Sequence, residues 1–144
     1  MRTLQTKPFL LVAEDDPDDQ FLIQDAIAKV CPPDLETYFV WDGFELVKLL
    51  HEKVNGCGKP DLIVLDLNMP RKDGRTALQE IRANPDLASI PVVVLTTSNN
   101  HADVQYCQQY GVAGYYRKPG SLEELRKIIE SLCSAFLDGK SKPG

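Results

Sequence analysis

Short apolar runs alternate along the chain with longer segments in which apolar residues recur at helical spacing. The short runs are rich in β-branched or aromatic residues and are bounded by turn-forming residues, so each predicts a strand. Three of them are almost continuously apolar, which is typical of parallel strands that helices cover on both faces. The predicted strands are residues 9–13, 37–41, 62–65, 91–95 and 114–116.

Helical periodicity fills the intervals between these strands. The last helix has the clearest start, because Ser121 and Glu124 match the two ends of a capping box, and apolar residues then repeat as far as Phe136. Strands that alternate with helices predict right-handed βαβ units and a doubly wound, flavodoxin-like α/β sandwich with parallel strand order 2-1-3-4-5. The predicted helices are residues 18–30, 44–53, 76–83, 103–109 and 122–136.

The length of 144 residues suits one domain. No change of composition inside the chain suggests a boundary, so we expect a single domain over residues 1–144 with a core at about 9–137. The two ends, 1–7 and 138–144, have little or no apolar content and are expected to be loose.

Net charge and hydropathy argue against a DNA-binding protein and against a membrane protein. A net charge of -5 argues against non-specific binding to the DNA backbone. The apolar runs are far shorter than a membrane span, and the first of them ends in acids rather than in a cleavage site. We therefore expect a cytoplasmic protein that binds neither DNA nor a membrane.

The cysteines are widely separated and include no C-x-x-C pair, and the chain has two histidines as further soft ligands. This spacing favours reduced thiols over a disulfide or a zinc site. The cysteines are Cys31, Cys57, Cys107 and Cys133.

Reactive side chains follow four of the predicted strands. Asp66 comes directly after the third strand, and the acids from Glu14 onward follow the first. Thr96 ends the fourth run, and Lys118 follows the fifth. Because the carboxyl ends of parallel strands meet at one edge of a sheet, these groups are expected to converge, with Asp66 as a candidate nucleophile.

The acids at this edge also suit a hard metal ion. Glu14, Asp15 and Asp66 supply carboxylates, and the backbone carbonyl of Asn68 could add a fourth oxygen. Such a set favours Mg²⁺, with Mn²⁺ as a substitute. Carboxylates this close repel each other, so at least one should have a raised pKa.

A metal at this position would cancel the repulsion between the Asp66 carboxylate and a phosphoryl group. Lys118 and the Thr96 hydroxyl could then bind phosphoryl oxygens, and the product would be an aspartyl phosphate on Asp66. The neighbouring acids have a simpler interpretation: Asp16 before Pro17 is typical of a helix N-cap, and Asp18 and Asp19 of a first helical turn.

Taken together, these motifs resemble the receiver domains of two-component response regulators. The resemblance depends on the pair Glu14-Asp15 and on the segments 66–74, 91–98 and 115–119. Asn84-Pro85-Asp86-Leu87 before the fourth strand, with residues 95–98 after it, is most similar to single-domain regulators of bacterial and cyanobacterial phytochromes.

The resemblance implies a role for each matching position. A sensor histidine kinase, of the phytochrome type by the finer match, would phosphorylate Asp66. The Tyr115 ring would change rotamer, and the surface of the fourth helix, fifth strand and fifth helix would then signal to a protein target or a second copy. The other implied roles are Mg²⁺ binding by Glu14 and Asp15, phosphoryl contact by Thr96 and Lys118, and tuning of dephosphorylation by Asn68 and Ser98.

The resemblance thus implies a signalling switch that catalyses only its own phosphorylation and slow dephosphorylation. Two positions depart from the usual pattern, since Glu14 replaces an Asp and Gly120 is expected to loosen the loop after Lys118.

Three alternatives remain open at this point. A receiver-fold adaptor could work without phosphorylation. A haloacid-dehalogenase-type hydrolase needs a second Asp where the chain has Asn68. A flavodoxin-like cofactor module needs a phosphate-cradling loop where the chain has acids after the first strand.

Overall fold

Every predicted strand is present in the computed structural model, which describes residues 7–56 and 58–137. The strands are β1 (Phe9–Ala13), β2 (Glu36–Val40), β3 (Leu62–Leu65), β4 (Val92–Thr96) and β5 (Gly114–Arg117). They pair in parallel in the order β2-β1-β3-β4-β5. The predicted flavodoxin-like sheet is therefore confirmed, and β4 is shifted by one residue so that Thr96 is its last member.

Five α-helices connect or follow the strands. The N-cap roles predicted for Asp16 and Ser121 are confirmed, because their side chains accept hydrogen bonds from backbone N–H groups of the first turn. The third and fourth helices begin two residues earlier than predicted, since Asp73 and Asn100 cap them. The helices are α1 (Pro17–Val30), α2 (Gly43–Gly56), α3 (Gly74–Ala83), α4 (His101–Gln109) and α5 (Leu122–Leu132), and a π-helical turn (Cys133–Leu137) follows α5.

The sheet has a buried apolar layer on each face. Alternate residues of β1 point to opposite layers: Leu11 packs with residues of α2, α3 and α4, whereas Leu10 packs with residues of α1 and α5. Both faces of the central strands are thus covered, as their continuous apolar runs predicted. The polar carboxyl edge of the sheet is left between the two layers.

The prediction of four reduced thiols is wrong, because Cys31 and Cys133 form a disulfide. Cys31 is the C-cap residue of α1, and Cys133 follows directly after α5. These helices pack side by side on the same face of the sheet, which brings residues 102 positions apart to a Cα–Cα distance of 5.9 Å. Cys107 is free and buried, and burial raises the pKa of its thiol to about 11; Cys57 lies outside the described residues.

Within residues 7–56 and 58–137, no helix combines the length and the apolar character needed to cross a membrane. The ends that were expected to be loose lie outside the described residues, except for Lys7. The assignment of residues 1–144 to one domain stays a prediction.

Candidate functional site

Side chains at the carboxyl ends of β1, β3, β4 and β5 come together at one edge of the sheet. The Thr96 hydroxyl donates to Asp66 Oδ1 over 2.8 Å. Lys118 Nζ lies 3.1 Å from Asp66 Oδ2 and 2.7 Å from Glu14 Oε1. The predicted convergence is therefore present in the fold, and Asp66 is held by a hydroxyl on one oxygen and an ammonium on the other.

Lys118 also contacts an acid that the sequence analysis assigned to a structural role. Asp19 Oδ2 accepts a hydrogen bond from Lys118 Nζ over 2.7 Å. Asp19 lies in the first turn of α1, and α1 begins at the edge where β1 ends. The signal that could have identified Asp19 was its position in the first turn of the helix that follows β1, the strand that places Glu14 and Asp15 at this edge.

Glu14 is almost fully buried, with 1% of its surface exposed. The pKa of its carboxyl is raised from 4.5 to about 7, mainly because the group is buried and to a smaller extent because of the charge of Asp66, while hydrogen bonds from Lys118 and the Asp16 N–H oppose the shift. A raised pKa was expected at this site, but burial rather than mutual repulsion is its main cause. Near neutral pH, Glu14 is therefore poised between its protonated and charged forms.

The Lys118 ammonium stays charged. Burial alone would lower its pKa, but hydrogen bonds with Asp19 and Glu14 and the charge of Asp66 outweigh burial and raise the pKa above its ordinary value. Lys118 is 15% exposed and is thus a well-shielded cation surrounded by acids.

Glu14, Asp15 and Asp66 can each offer an oxygen, and these oxygens lie within 4.8 Å of one another. Two of the three residues are buried and Asp15 is exposed. Mg²⁺ binds oxygens at about 2.0–2.1 Å, so a small inward movement of the side chains would let one ion contact all of them. The donor set fits a hard divalent cation, and that cation would compete with Lys118 for Glu14 and Asp66.

The loop after β3 is fixed by a close approach of backbones. A Cβ atom added to Gly74 would lie 2.3 Å from the carbonyl oxygen of Asp66. The Gly74 N–H donates to the Leu67 carbonyl over 2.9 Å. The Asn68 N–H donates to Asp66 Oδ1 over 3.1 Å, while the Asn68 side chain is exposed. Glycine at position 74 therefore lets α3 start against the residue that carries the candidate nucleophile.

Ser98 and Tyr115 belong to a group of hydrogen-bonded residues next to the Asp66 site. The Tyr115 hydroxyl donates to the Ser98 carbonyl over 2.8 Å, and the Ser98 hydroxyl donates to Asp103 Oδ2 over 2.6 Å. The Ser98 N–H is 3.5 Å from the Thr96 hydroxyl oxygen. Both residues are thus connected to Asp66 through Thr96, and sequence reasoning missed the part played by Asp103.

Comparisons with known proteins show which family this chain is similar to. The profile of the response regulator receiver domain matches residues 10–130. Response regulator Rcp1 of Synechocystis sp. is 38% identical over 136 residues, which are 93% of this chain and 92% of that protein. The crystal structure of the phosphorylated cyanobacterial phytochrome response regulator RcpA has a TM-score of 0.85 at 35% identity and covers 96% of this chain and 100% of its own.

A second similar structure is that of the Mn²⁺-bound form of response regulator Rcp1. Its TM-score is 0.82 at 37% identity, with 95% of this chain and 99% of that chain covered. These matches extend over almost the whole chain and confirm the resemblance that the motifs predicted.

Proposed function

Since this chain belongs to the family of response regulator receiver domains, we propose that a sensor histidine kinase transfers a phosphoryl group to Asp66. The observation that carries the proposal is the environment of this carboxylate: it is buried at a strand end, bonded to Thr96 and Lys118, and close to two further carboxylates. The similarity to RcpA, a cyanobacterial phytochrome response regulator, supports a kinase of the phytochrome type.

In the transfer step, one Asp66 oxygen attacks phosphorus and the bond from phosphorus to the kinase histidine breaks. Lys118 and the Thr96 hydroxyl, which already contact the two Asp66 oxygens, then bind the phosphoryl oxygens. Mg²⁺, or Mn²⁺ in its place, held by Glu14, Asp15, Asp66 and the Asn68 carbonyl, would neutralise charge between the two anions. The protein contributes position and charge and acts as a switch.

The response passes through Thr96 and Tyr115. The phosphoryl group of an aspartyl phosphate carries about one and a half to two negative charges near neutral pH, and it attracts the Thr96 hydroxyl. The loop between β4 and α4 then moves with Thr96. Ser98 lies in this loop, and its carbonyl accepts a hydrogen bond from the Tyr115 hydroxyl. The α4-β5-α5 surface then changes its affinity for a downstream protein or a second copy. Asn68 and Ser98 tune the rate of dephosphorylation.

The kinase approaches over α1 and the start of α5. A cleft of about 330 Å³ between these elements leads to Lys118 and is lined by Leu22 and Leu122, among others. Phe21 is 67% exposed and Leu122 is 45% exposed. Leu122 lines the cleft, and Phe21 precedes the lining residue Leu22 in α1; exposed apolar side chains of this size suit a protein partner. We place the reaction in the cytoplasm, where ATP is available to phosphorylate the kinase.

Phe21→Ala should slow transfer from a phosphorylated phytochrome-type kinase but not labelling by acetyl phosphate.

Intact-mass spectrometry after incubation with acetyl phosphate tests the assignment of Asp66. With Mg²⁺, the parent should gain the mass of one phosphoryl group, and Asp66→Asn should gain none. Asp86→Asn, which removes an exposed acid from the segment before β4, whereas Thr96 lies at the carboxyl end of that strand, should label like the parent. Labelling of Asp66→Asn, or full labelling of the parent in excess chelator, would contradict the proposal. A parent that takes no label would leave a phosphorylation-independent adaptor.

A further inference from the structure

The first turns of α3 and α4 are joined by an ion pair with two parallel contacts. Arg75 Nε lies 2.7 Å from Asp103 Oδ1, and Arg75 Nη2 lies 2.7 Å from Asp103 Oδ2. Bidentate contacts of this kind are stronger and more directional than an ion pair with a single contact. The Arg75 hydrogen bond is the main cause that lowers the pKa of Asp103, so both partners remain charged.

Ser98 connects this ion pair to the candidate phosphorylation site. Its hydroxyl donates to Asp103 Oδ2 over 2.6 Å and accepts from the Asn100 N–H over 3.2 Å. Its carbonyl accepts from the Tyr115 hydroxyl, and Thr96, two residues earlier, donates to Asp66. Ser98 therefore has one fixed neighbour on α4 and another on β5.

The Arg75 end is anchored as well. Arg75 Nη1 donates to the Leu67 carbonyl over 3.4 Å, and the Arg75 carbonyl accepts from the Tyr106 hydroxyl over 2.9 Å. Leu67 directly follows Asp66, and Gly74 holds α3 against the Asp66 backbone. A chain of contacts thus leaves Asp66 through Thr96 and Ser98 and returns to it through Arg75 and Leu67.

We propose that Arg75 and Asp103 form a latch that fixes Ser98, and that both are positioning residues for the switch at Thr96 and Tyr115. This inference rests on the proposed phosphorylation of Asp66. While the latch is closed, Ser98 cannot move independently, so a displacement of Thr96 is passed to α4 and Tyr115. When the latch is broken, Thr96 can move toward the phosphoryl group while the conformation of α4 stays unchanged.

Hydrogen exchange with mass-spectrometric detection tests the latch in Asp103→Asn and Arg75→Gln. Without phosphorylation, amides of residues 98–104 should exchange about fivefold faster than in the parent, as expected for the loss of a coupled pair of ordinary strength. With Mg²⁺ and beryllofluoride as a phosphoryl mimic, the parent should change its exchange along α4 and both variants should not. Labelling of Asp66 by acetyl phosphate should persist in both variants.

Three further variants separate a positioning role from a general loss of stability. The double variant should behave like either single variant, because both changes break the same contact. Arg75→Lys keeps the positive charge but cannot form the bidentate contact, and it should recover part of the α4 response that the parent shows. Glu80→Gln breaks another α3 ion pair, with Lys72, and should leave the exchange of residues 98–104 unchanged.

Parent-like exchange in Asp103→Asn, or additive effects in the double variant, would overturn the latch. So would a full α4 response to beryllofluoride in the variants. If the parent takes no label on Asp66, the proposed function fails and the role of the latch in the switch fails with it. A labelled parent with unaltered variants overturns the latch alone.

Discussion

Replacing Glu14 with Gln should change how the stability of the metal-free protein depends on pH. The pKa of Glu14 is raised from 4.5 to about 7, chiefly by burial. Between these values the folded protein binds more protons at this position than the unfolded chain, so the free energy of unfolding falls as pH rises. The stabilising contribution of the protonated form is complete below about 4.5 and is lost as pH rises through about 7.

The size of the effect follows from the shift. One pKa unit corresponds to about 1.4 kcal/mol, so raising the pH from about 5 to about 8 should remove roughly 2.5 kcal/mol of stability through Glu14 alone. Glutamine at position 14 is neutral throughout and resembles the protonated acid. It weakens the contact with Lys118 or with the Asp16 N–H, but that change is nearly constant over this pH range and does not alter the slope.

Urea unfolding in excess chelator, at several pH values between about 5 and 8, measures the difference between Glu14→Gln and the parent. The variant should gain stability relative to the parent as pH rises. Glu124→Gln, which changes an exposed acid on α5, should run parallel to the parent. Parallel profiles for Glu14→Gln and the parent would refute the raised pKa. Added Mg²⁺ should stabilise the parent more than the variant, because the charged carboxylate is the proposed ligand.

Two further changes test the disulfide and the glycine contact. Cys31→Ser should lower the stability of the oxidised protein by about 2–4 kcal/mol, since the bond closes a long loop in the unfolded chain. The parent should lose the same amount in reducing agent and Cys31→Ser should lose none; equal melts of the two oxidised proteins would contradict this. Gly74→Ala should cost about 1–3 kcal/mol and slow acetyl phosphate labelling, because its Cβ would collide with the Asp66 carbonyl. Gly120→Ala has open space around the added Cβ and should be neutral to within about 0.5 kcal/mol in urea melts; equal losses in both variants would contradict the collision.

The fold and four key side chains of the site could be predicted because they follow from local patterns. Continuous apolar runs indicate parallel strands, and parallel strands place their carboxyl ends at one edge. The position at the carboxyl end of a strand is enough to identify Asp66 and Thr96 as candidates. The cap residues of α1 and α5 were likewise predicted, because capping depends on residues three or four positions apart.

The remaining features depend on how helices pack, which local patterns do not reveal. Cys31 and Cys133 lie 102 positions apart and meet only because α1 and α5 share one face of the sheet. The Arg75–Asp103 contact spans 28 positions and requires that the first turns of α3 and α4 face each other. Asp19 had a sufficient local interpretation as a first-turn acid, and this concealed its contact with Lys118.

The balance of charge at the carboxyl edge connects proton, cation and phosphoryl binding. Glu14, Asp19 and Asp66 surround the Lys118 ammonium, and Asp15 adds a further acid within reach of two of them. One ammonium cannot neutralise all of these acids, and burial raises the pKa of Glu14 to about 7, so Glu14 carries a proton in part of the molecules near neutral pH. A divalent cation bound at the same carboxylates must displace that proton, and its affinity should therefore rise with pH. A phosphoryl group on Asp66 adds negative charge to the same cluster. Coupling between binding equilibria is reciprocal. Phosphorylation should therefore raise the affinity for the cation by the same factor by which the bound cation raises the equilibrium constant for phosphorylation.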